Sequence, residues 1–217
     1  MKHLYKQLAA IALAVVWLVS PAATVVDFDA MYELELDASL ETPRVPNDKA
    51  KRNIVAFQTD LANKLVRNGY SVELMREGEI LIVSIPCDKM FQPNDTILTG
   101  EGKKRIKPLL SYLKNPGFYK VLMVMNSDNT GSETYTLNLT RSRVNAIFDW
   151  MDDSEKVNTD YVVPYAVGGT RPYDDVPNNS MANRNKNRRV EFYFVPFDWM
   201  IEQAKKGKVD FNKKPKK

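Results

Sequence analysis

Apolar residues recur along this chain in blocks whose period changes from helix-like to strand-like. From Asn47, a residue suited to cap a helix, Ile54, Phe57, Leu61 and Leu65 share one helical face, and Gly69 ends the pattern. Two β-like runs follow, Val72–Met75 and Ile80–Pro86, separated by the hairpin signal Arg76-Glu77-Gly78-Glu79. The second is rich in Ile, Leu and Val, which predicts a central strand. After Met90-Phe91 comes a polar loop, Gln92 to Thr99. Ile106, Leu109, Leu110 and Leu113 then predict a helix from about Gly100 to Lys114, disturbed at Pro108. Beyond the Asn115-Pro116-Gly117 break, Tyr119–Met125 reads as a strand. A polar turn, Asn126 to Gly131, leads into a helix carrying Val144, Ile147, Phe148 and Met151. Another strand spans Tyr161–Val167 and stops at Gly168-Gly169. The polar loop Thr170–Lys186, with Pro172 and Pro177, is long enough to imply function or mobility. Arg188–Val195 closes the set, with Val190, Phe192 and Phe194 facing one way and Glu191 and Tyr193 the other. Phe197, Met200, Ile201 and Ala204 form a short amphipathic cap, and no internal repeat is present.

The order helix, hairpin, helix, strand, helix, strand, strand predicts an α+β sandwich: a mixed sheet with helices packed on one face. The chain of 217 residues has room for one such domain plus tails, and its 44% apolar and 27% charged content is that of a folded protein.

The N-terminus changes the compartment. Lys2, His3 and Lys6 precede an apolar run from Leu8 to Val19, and small residues follow at Ser20, Ala22 and Ala23. This is the layout of a secretory signal peptide over residues 1–23. An uncleaved anchor is the competing reading, although the run falls short of the roughly 20 residues a spanning helix needs. No cysteine lies near the cleavage region to carry a lipid. Residues 24–46, with Pro43 and Pro46, read as a linker or arm; the domain occupies 47–197, and 198–217 holds the amphipathic segment and a basic tail. That tail has seven lysines from Lys205 onward against Asp210 alone. It is a solvated tail or a binder of anionic polymer, and no aromatic ladder accompanies it to suggest nucleic acid.

Export also prunes the chemistry. Cys87 is the only cysteine, so no internal disulfide forms, and it reads as a packed residue. The one histidine, His3, lies in the segment to be removed. A mature chain without histidine has no Ser-His-Asp or Cys-His catalysis and no imidazole-based metal site. Asp152 and Asp153 are adjacent and diverge, so they make no catalytic pair. No catalytic residue, metal site or cofactor is expected.

One segment carries a recognisable pattern: Met125-Asn126-Ser127-Asp128-Asn129-Thr130-Gly131-Ser132, then Tyr135, Leu139-Thr140 and Arg143. It resembles the signature of OmpA-like peptidoglycan-binding domains, which runs Gly-His-Thr-Asp, two residues, Gly-Ser, then Tyr-Asn, Leu-Ser and Arg. The spacing from Asp128 to Arg143 matches without a gap. Phe91-Gln92-Pro93-Asn94 with Leu98 is similar to the family's Leu-Phe loop, and Asn187-Arg188-Arg189-Val190-Glu191 to its closing Asn-Arg-Arg-Val-Glu. The three blocks keep their order over residues 54–195. Departures are Met125-Asn126 for Gly-His, Ser127 for Thr, Thr136 for Asn and Val144 for Ala.

The resemblance implies an OmpA-like β/α/β/α/β-β sandwich and non-covalent binding of peptidoglycan through the diaminopimelate of its stem peptide. Asp128 would accept the ammonium and Arg143 would fork onto the carboxylate. Asn94 and Ser127 complete the implied ligand set. Read alone, Asp128 could instead cap the helix near Ser132, and Arg143 could be an ordinary exposed arginine. Of Arg188 and Arg189, one is expected to pack or pair and the other to face solvent. The implied setting is the periplasm, at the cell wall or outer membrane, with envelope proteins as further partners, homo-oligomers possible and nucleic acid excluded. The alternative function is a structural or assembly subunit that keeps the fold without gripping the wall.

Overall fold

The computed structural model describes residues 36–155, 157–173 and 176–213; the expected signal peptide and the arm up to residue 35 lie outside the described residues. Helix α1, Asp48–Arg67, is capped as expected: Asn47 accepts the Ala50 N–H through its side chain. Strands β1, Ser71–Met75, and β2, Ile80–Pro86, make the hairpin, with Arg76, Glu77 and Gly78 all at positive φ in the tight turn. Helix α2, Gly100–Ile106, tightens into a 3₁₀ segment, Lys107–Leu113, at the point where Pro108 lacks the N–H a regular helix needs. Strand β3, Tyr119–Asn126, is followed by α3, Glu133–Asp149, and by β4, Val162–Ala166, which runs parallel to β3. The loop expected over 170–186 contains a short helix, α4, Met181–Asn187. Strand β5, Arg189–Pro196, and helix α5, Asp198–Lys205, complete the set.

The sheet order is β1-β2-β5-β3-β4, so the last strand lies in the middle, antiparallel to both β2 and β3. This is the predicted mixed sheet, and its main core lies on the helical side. Leu81, Val83, Val121, Met123, Phe192 and Phe194 there meet Ile54 and Leu65 of α1 and Val144 and Ile147 of α3. Each fully buried side chain of this size stabilises the fold by about 1.5–3 kcal/mol. The other face of β5 is buried too. Tyr193 and Val195, with Ile82, Leu122 and Val124, are covered by Leu36 and Leu40. Within the segment expected as a linker, residues 36–41 are therefore helical and docked. Two cations hold the end of this segment: Lys120 donates to Ser39 O (2.5 Å) and Arg76 to Leu40 O (2.8 Å). Cations at a helix C-terminus complement its dipole and its unpaired carbonyls.

The basic tail is partly built into the domain. Phe211 packs edge-on to Phe118, ring centroids 5.0 Å apart, and Trp199 Nε1 donates to Lys213 O (2.8 Å).

One polar side chain links α1 to the sheet. Gln58 is fully buried; its amide donates to Glu79 O (3.0 Å) and Phe194 O (3.3 Å), and its oxygen accepts from the Tyr119 hydroxyl (2.9 Å). Substitution by alanine leaves these groups without partners inside the core. Gln58→Ala should cost at least about 1–3 kcal/mol, read as a lower urea midpoint with an unchanged slope.

Candidate functional site

Strand β3 ends at Asn126, and the chain turns over Ser127–Gly131. This turn is stitched to the one that follows β4: Ser127 N–H donates to Gly168 O (2.6 Å), and Val167 N–H to Met125 O (3.2 Å). Gly168 N–H in turn donates to the Thr140 hydroxyl on α3 (3.1 Å). The family-like motif lacks a glycine at Met125, and the close backbone approach is made from the opposite side. A Cβ on Gly169 would come within 2.6 Å of the Asp128 carbonyl oxygen.

Asp128 is 3% exposed. Its Oδ1 accepts the Thr130 N–H (2.8 Å), an Asx turn, and its Oδ2 receives the Arg188 guanidinium. It does not cap α3; Ser132 does, accepting the Tyr135 N–H at 3.2 Å. Arg143 is not an exposed helix arginine either. At 5% exposure it donates from Nε to Asp95 O (2.8 Å) and from Nη2 to Gln92 O (3.2 Å), and lies 4.9 Å from the Phe91 ring centroid. Burial lowers its pKa from the usual arginine value, which still leaves it a cation. Asn94 sits in the left-handed region, φ +57°, and its Oδ1 accepts from the Tyr135 hydroxyl (3.1 Å).

Asp128, Arg143, Asn94 and Ser127 all line one groove of about 930 Å³, at the end of the sheet where β3 stops. Arg184 and Arg188 line it as well, so its lining carries three arginines with Asp88 and Asp128. Sequence reasoning missed Arg184 altogether and left Arg188 undecided. The signal available was their position before β5, with Arg184 four residues ahead of Arg188 on a helical turn. Neither closing arginine is left to solvent alone: Arg189 is buried and its Nε donates to Glu191 Oε1 (2.8 Å). The loop behind the arginines is held by Asn187, fully buried, which accepts from Tyr173 N–H (2.8 Å) and donates to Val176 O (3.0 Å) and Asn178 Oδ1 (2.8 Å). Cys87 lies at the groove base with its thiol 3.4 Å from the Met125 sulfur; burial pushes its pKa up to about 12. Among the described residues no cluster of His, Cys, Asp and Glu could hold a metal ion.

No family model matches the chain, and no curated protein matches it. Solved structures do. A MotB like protein from Desulfovibrio vulgaris matches with a TM-score of 0.57 at 16% identity, over 67% of this chain and 98% of that one. The cell wall anchor of the T6SS from Pseudomonas aeruginosa matches with 0.52 at 22% identity, over 67% and 99%. The periplasmic domain of Helicobacter pylori MotB matches with 0.51 at 20% identity, over 59% and 82%. The chain has the fold of these domains. At such identities the likeness is one of architecture, and it agrees with the OmpA-like sandwich predicted from sequence.

Two outcomes follow from this geometry. Gly169→Ala drives a methyl into the Asp128 carbonyl and should destabilise the chain by about 1–3 kcal/mol in urea unfolding. The Cys87 thiol, held protonated by burial, should resist a disulfide reagent at pH 8 in the native protein and react at once in denaturant.

Proposed function

We propose that this chain is an exported, non-enzymatic domain of the cell envelope that grips peptidoglycan reversibly in the Asp128–Arg143 groove. The observation that carries the reading is the convergence of both motif residues, with Asn94 and Ser127, on one groove. A buried carboxylate and a buried guanidinium in one cleft suit a zwitterion such as the free end of diaminopimelate. The fold likeness to a cell wall anchor and to MotB periplasmic domains supports the same reading. Further envelope proteins would meet the chain away from the groove, and no cofactor is needed.

Recognition would proceed by exchange. Asp128 Oδ2 already holds Arg188, so an incoming ammonium takes over that oxygen while Oδ1 keeps the Thr130 N–H. Arg143 spends Nε and one Nη2 proton on loop carbonyls, leaving its other protons to fork onto a carboxylate. Each charge-assisted contact is worth about 1.5–3 kcal/mol, so the pair gives at most roughly 3–6 kcal/mol, weak binding in the millimolar to tens-of-micromolar range that suits a reversible tether.

Sedimentation with purified, insoluble peptidoglycan tests this. Asp128→Asn should weaken binding about 10–100-fold. Arg143→Lys keeps the charge but loses the fork, and should weaken binding similarly, with some loss of melting temperature because an ammonium does not replace both the Nε and Nη2 bonds to the Asp95 and Gln92 carbonyls. Wild-type retention of both variants would dispose of the site. With no histidine beyond His3, and with the Cys87 thiol raised to about 12, binding should be level from about pH 5 to pH 8. The basic tail is the rival source of affinity. Because Phe211 and Lys213 are packed into the domain, the informative truncation ends at Lys213. It should hold clean peptidoglycan as well as the full chain does.

A structural or assembly role without wall binding is the second reading. Met125 and Asn126 favour it, since both are buried and turned to packing: Met125 meets Cys87, and Asn126 Nδ2 donates to Glu191 Oε2 (3.2 Å). A stoichiometric partner retained by Asp128→Asn would support that role.

A further inference from the structure

The segment from Lys205 onward takes no part in the groove, yet it holds the whole positive balance of the chain. It contains seven lysines against Asp210, whereas the rest of the sequence has 24 basic and 26 acidic residues. A lysine run that only solvates a segment needs no fixed starting point. Here the start is fixed. Gly207, at φ +107°, turns the chain away from α5, and its N–H donates to Ala204 O (3.1 Å). Gln203 Oε1 accepts the Asp210 N–H (2.8 Å), and the buried Asn115 amide donates to Phe211 O (2.7 Å) and Lys213 O (3.1 Å).

These contacts gather cations at one pole. Lys206, Lys208 and Lys213 are exposed there, as is Lys114 beside the Asn115 clamp. Lys49 of α1 joins them, its Nζ 3.8 Å from the point that a Cβ on Gly207 would occupy. Among the described residues none of these five is ion-paired, whereas Lys205 is paired with Glu202 (2.7 Å). Asp210 is turned to its own loop, where it accepts the Asn212 N–H (3.0 Å). Trp199 and Phe211, both half-buried, bring apolar surface to the same place. The run contains no arginine. Lysine is a compact charge on a flexible apolar stem, suited to diffuse headgroups rather than to forked recognition. Tryptophan beside clustered lysines is a pairing that suits a bilayer surface.

This pole lies at the other end of β3 from the groove. Trp199 N–H donates to Gly117 O (2.9 Å) just before β3 begins, and the groove lies where β3 stops. Eight extended residues separate the two ends by about 25 Å. We propose that the pole built from α5, Lys49 and the lysine segment docks on an anionic phospholipid surface, with the groove held away from the membrane. The proposal goes beyond the peptidoglycan reading and does not depend on it.

Co-flotation with vesicles tests this. Residues 24–217 are used, because the apolar run Leu8–Val19 would bind lipid by itself and residues 32–217 form a compact unit of their own. The protein should float with vesicles of phosphatidylcholine and phosphatidylglycerol in equal parts, and not with phosphatidylcholine alone. Each lysine near such a surface adds about fivefold, so joint Lys206→Gln, Lys208→Gln and Lys213→Gln substitution should weaken binding at least about tenfold. Salt at about 0.5 M should release the wild type. Bromine-labelled lipid should quench tryptophan fluorescence, and Trp199→Phe should remove that quenching, since Trp150 is buried. The lysine variant should still sediment with purified peptidoglycan, and Asp128→Asn should still float, so either reading can fail without the other. Equal flotation with both vesicle types, or full binding by the lysine variant, would overturn the proposal. Flotation without Trp199 quenching would overturn it too, because the lysines would then bind as a loose tail rather than as part of a docked pole. Failure to float with the mixed vesicles would also overturn it, and retention on long-chain polyphosphate in that case would assign the pole to a soluble polyanion.

Discussion

The closeness of two backbone turns governs the end of the molecule that carries the groove. The turn after β3 and the turn after β4 meet with Gly169 against the Asp128 carbonyl, at a spacing that excludes any Cβ. Parallel strands do not share a hairpin, so their ends must be registered by tertiary contact. Here the Ser127–Gly168 hydrogen bond and the Gly168–Thr140 bond supply it, joining β3, β4 and α3 at a single point. Where α3 begins decides where Arg143 emerges. That contact fixes the backbone from which Asp128 and Arg143 start, and their charged ends are then held by Arg188 and by the Asp95 and Gln92 carbonyls.

Much of the fold was legible in the sequence because it rests on periodicity. The Ile54-Leu61-Leu65 stripe of α1, the alternation along β5 and the interruption at Pro108 each have a local cause that survives in the structure. The docking of residues 36–41 was not legible, since only Leu36 and Leu40 bury there and two apolar residues make no pattern. Their place depends on Lys120 and Arg76, far along the chain. Helix α4 was hidden for a related reason: after Met181 and Ala182 its residues are all polar, and Asn187 fixes the loop through hydrogen bonds that composition does not reveal. For the site, the motif spacing pointed to Asp128 and Arg143. The contacts these residues make could not be read, because the Arg188 and Asp95 partners come from other blocks.

The departures from the family pattern have local accounts. Met125 is fully buried beneath the groove and in contact with the Cys87 thiol, so its side chain fills core that a glycine would leave to its neighbours. Asn126 belongs to the opposite face, where it joins Glu191, Arg189 and the Tyr193 hydroxyl in a buried polar network. Burial, with the Glu191 carboxylate beside it, raises the Tyr193 pKa, so that phenol stays protonated and donates. The two residues that differ most from the motif thus serve packing and the sheet, while the groove-lining chemistry is carried by their neighbours.

The pairing of Asp128 with Arg188 sets how such a groove can work. A carboxylate whose side chain is only 4% exposed would be costly to leave without a cation, because little water remains to solvate it. Arg188 supplies that cation in the unliganded protein, and so stabilises the same conformation that a ligand would use. The net affinity for an ammonium is then the difference between two ion pairs, not the whole strength of one. Arg188 is 27% exposed and can regain water when displaced, which keeps the exchange from being prohibitive. On the proposed reading, preorganisation and restrained affinity would arise together from one arginine. The wall polymer proposed as ligand repeats its binding unit many times, so modest affinity at each site would still retain the protein nearby while letting any single contact release.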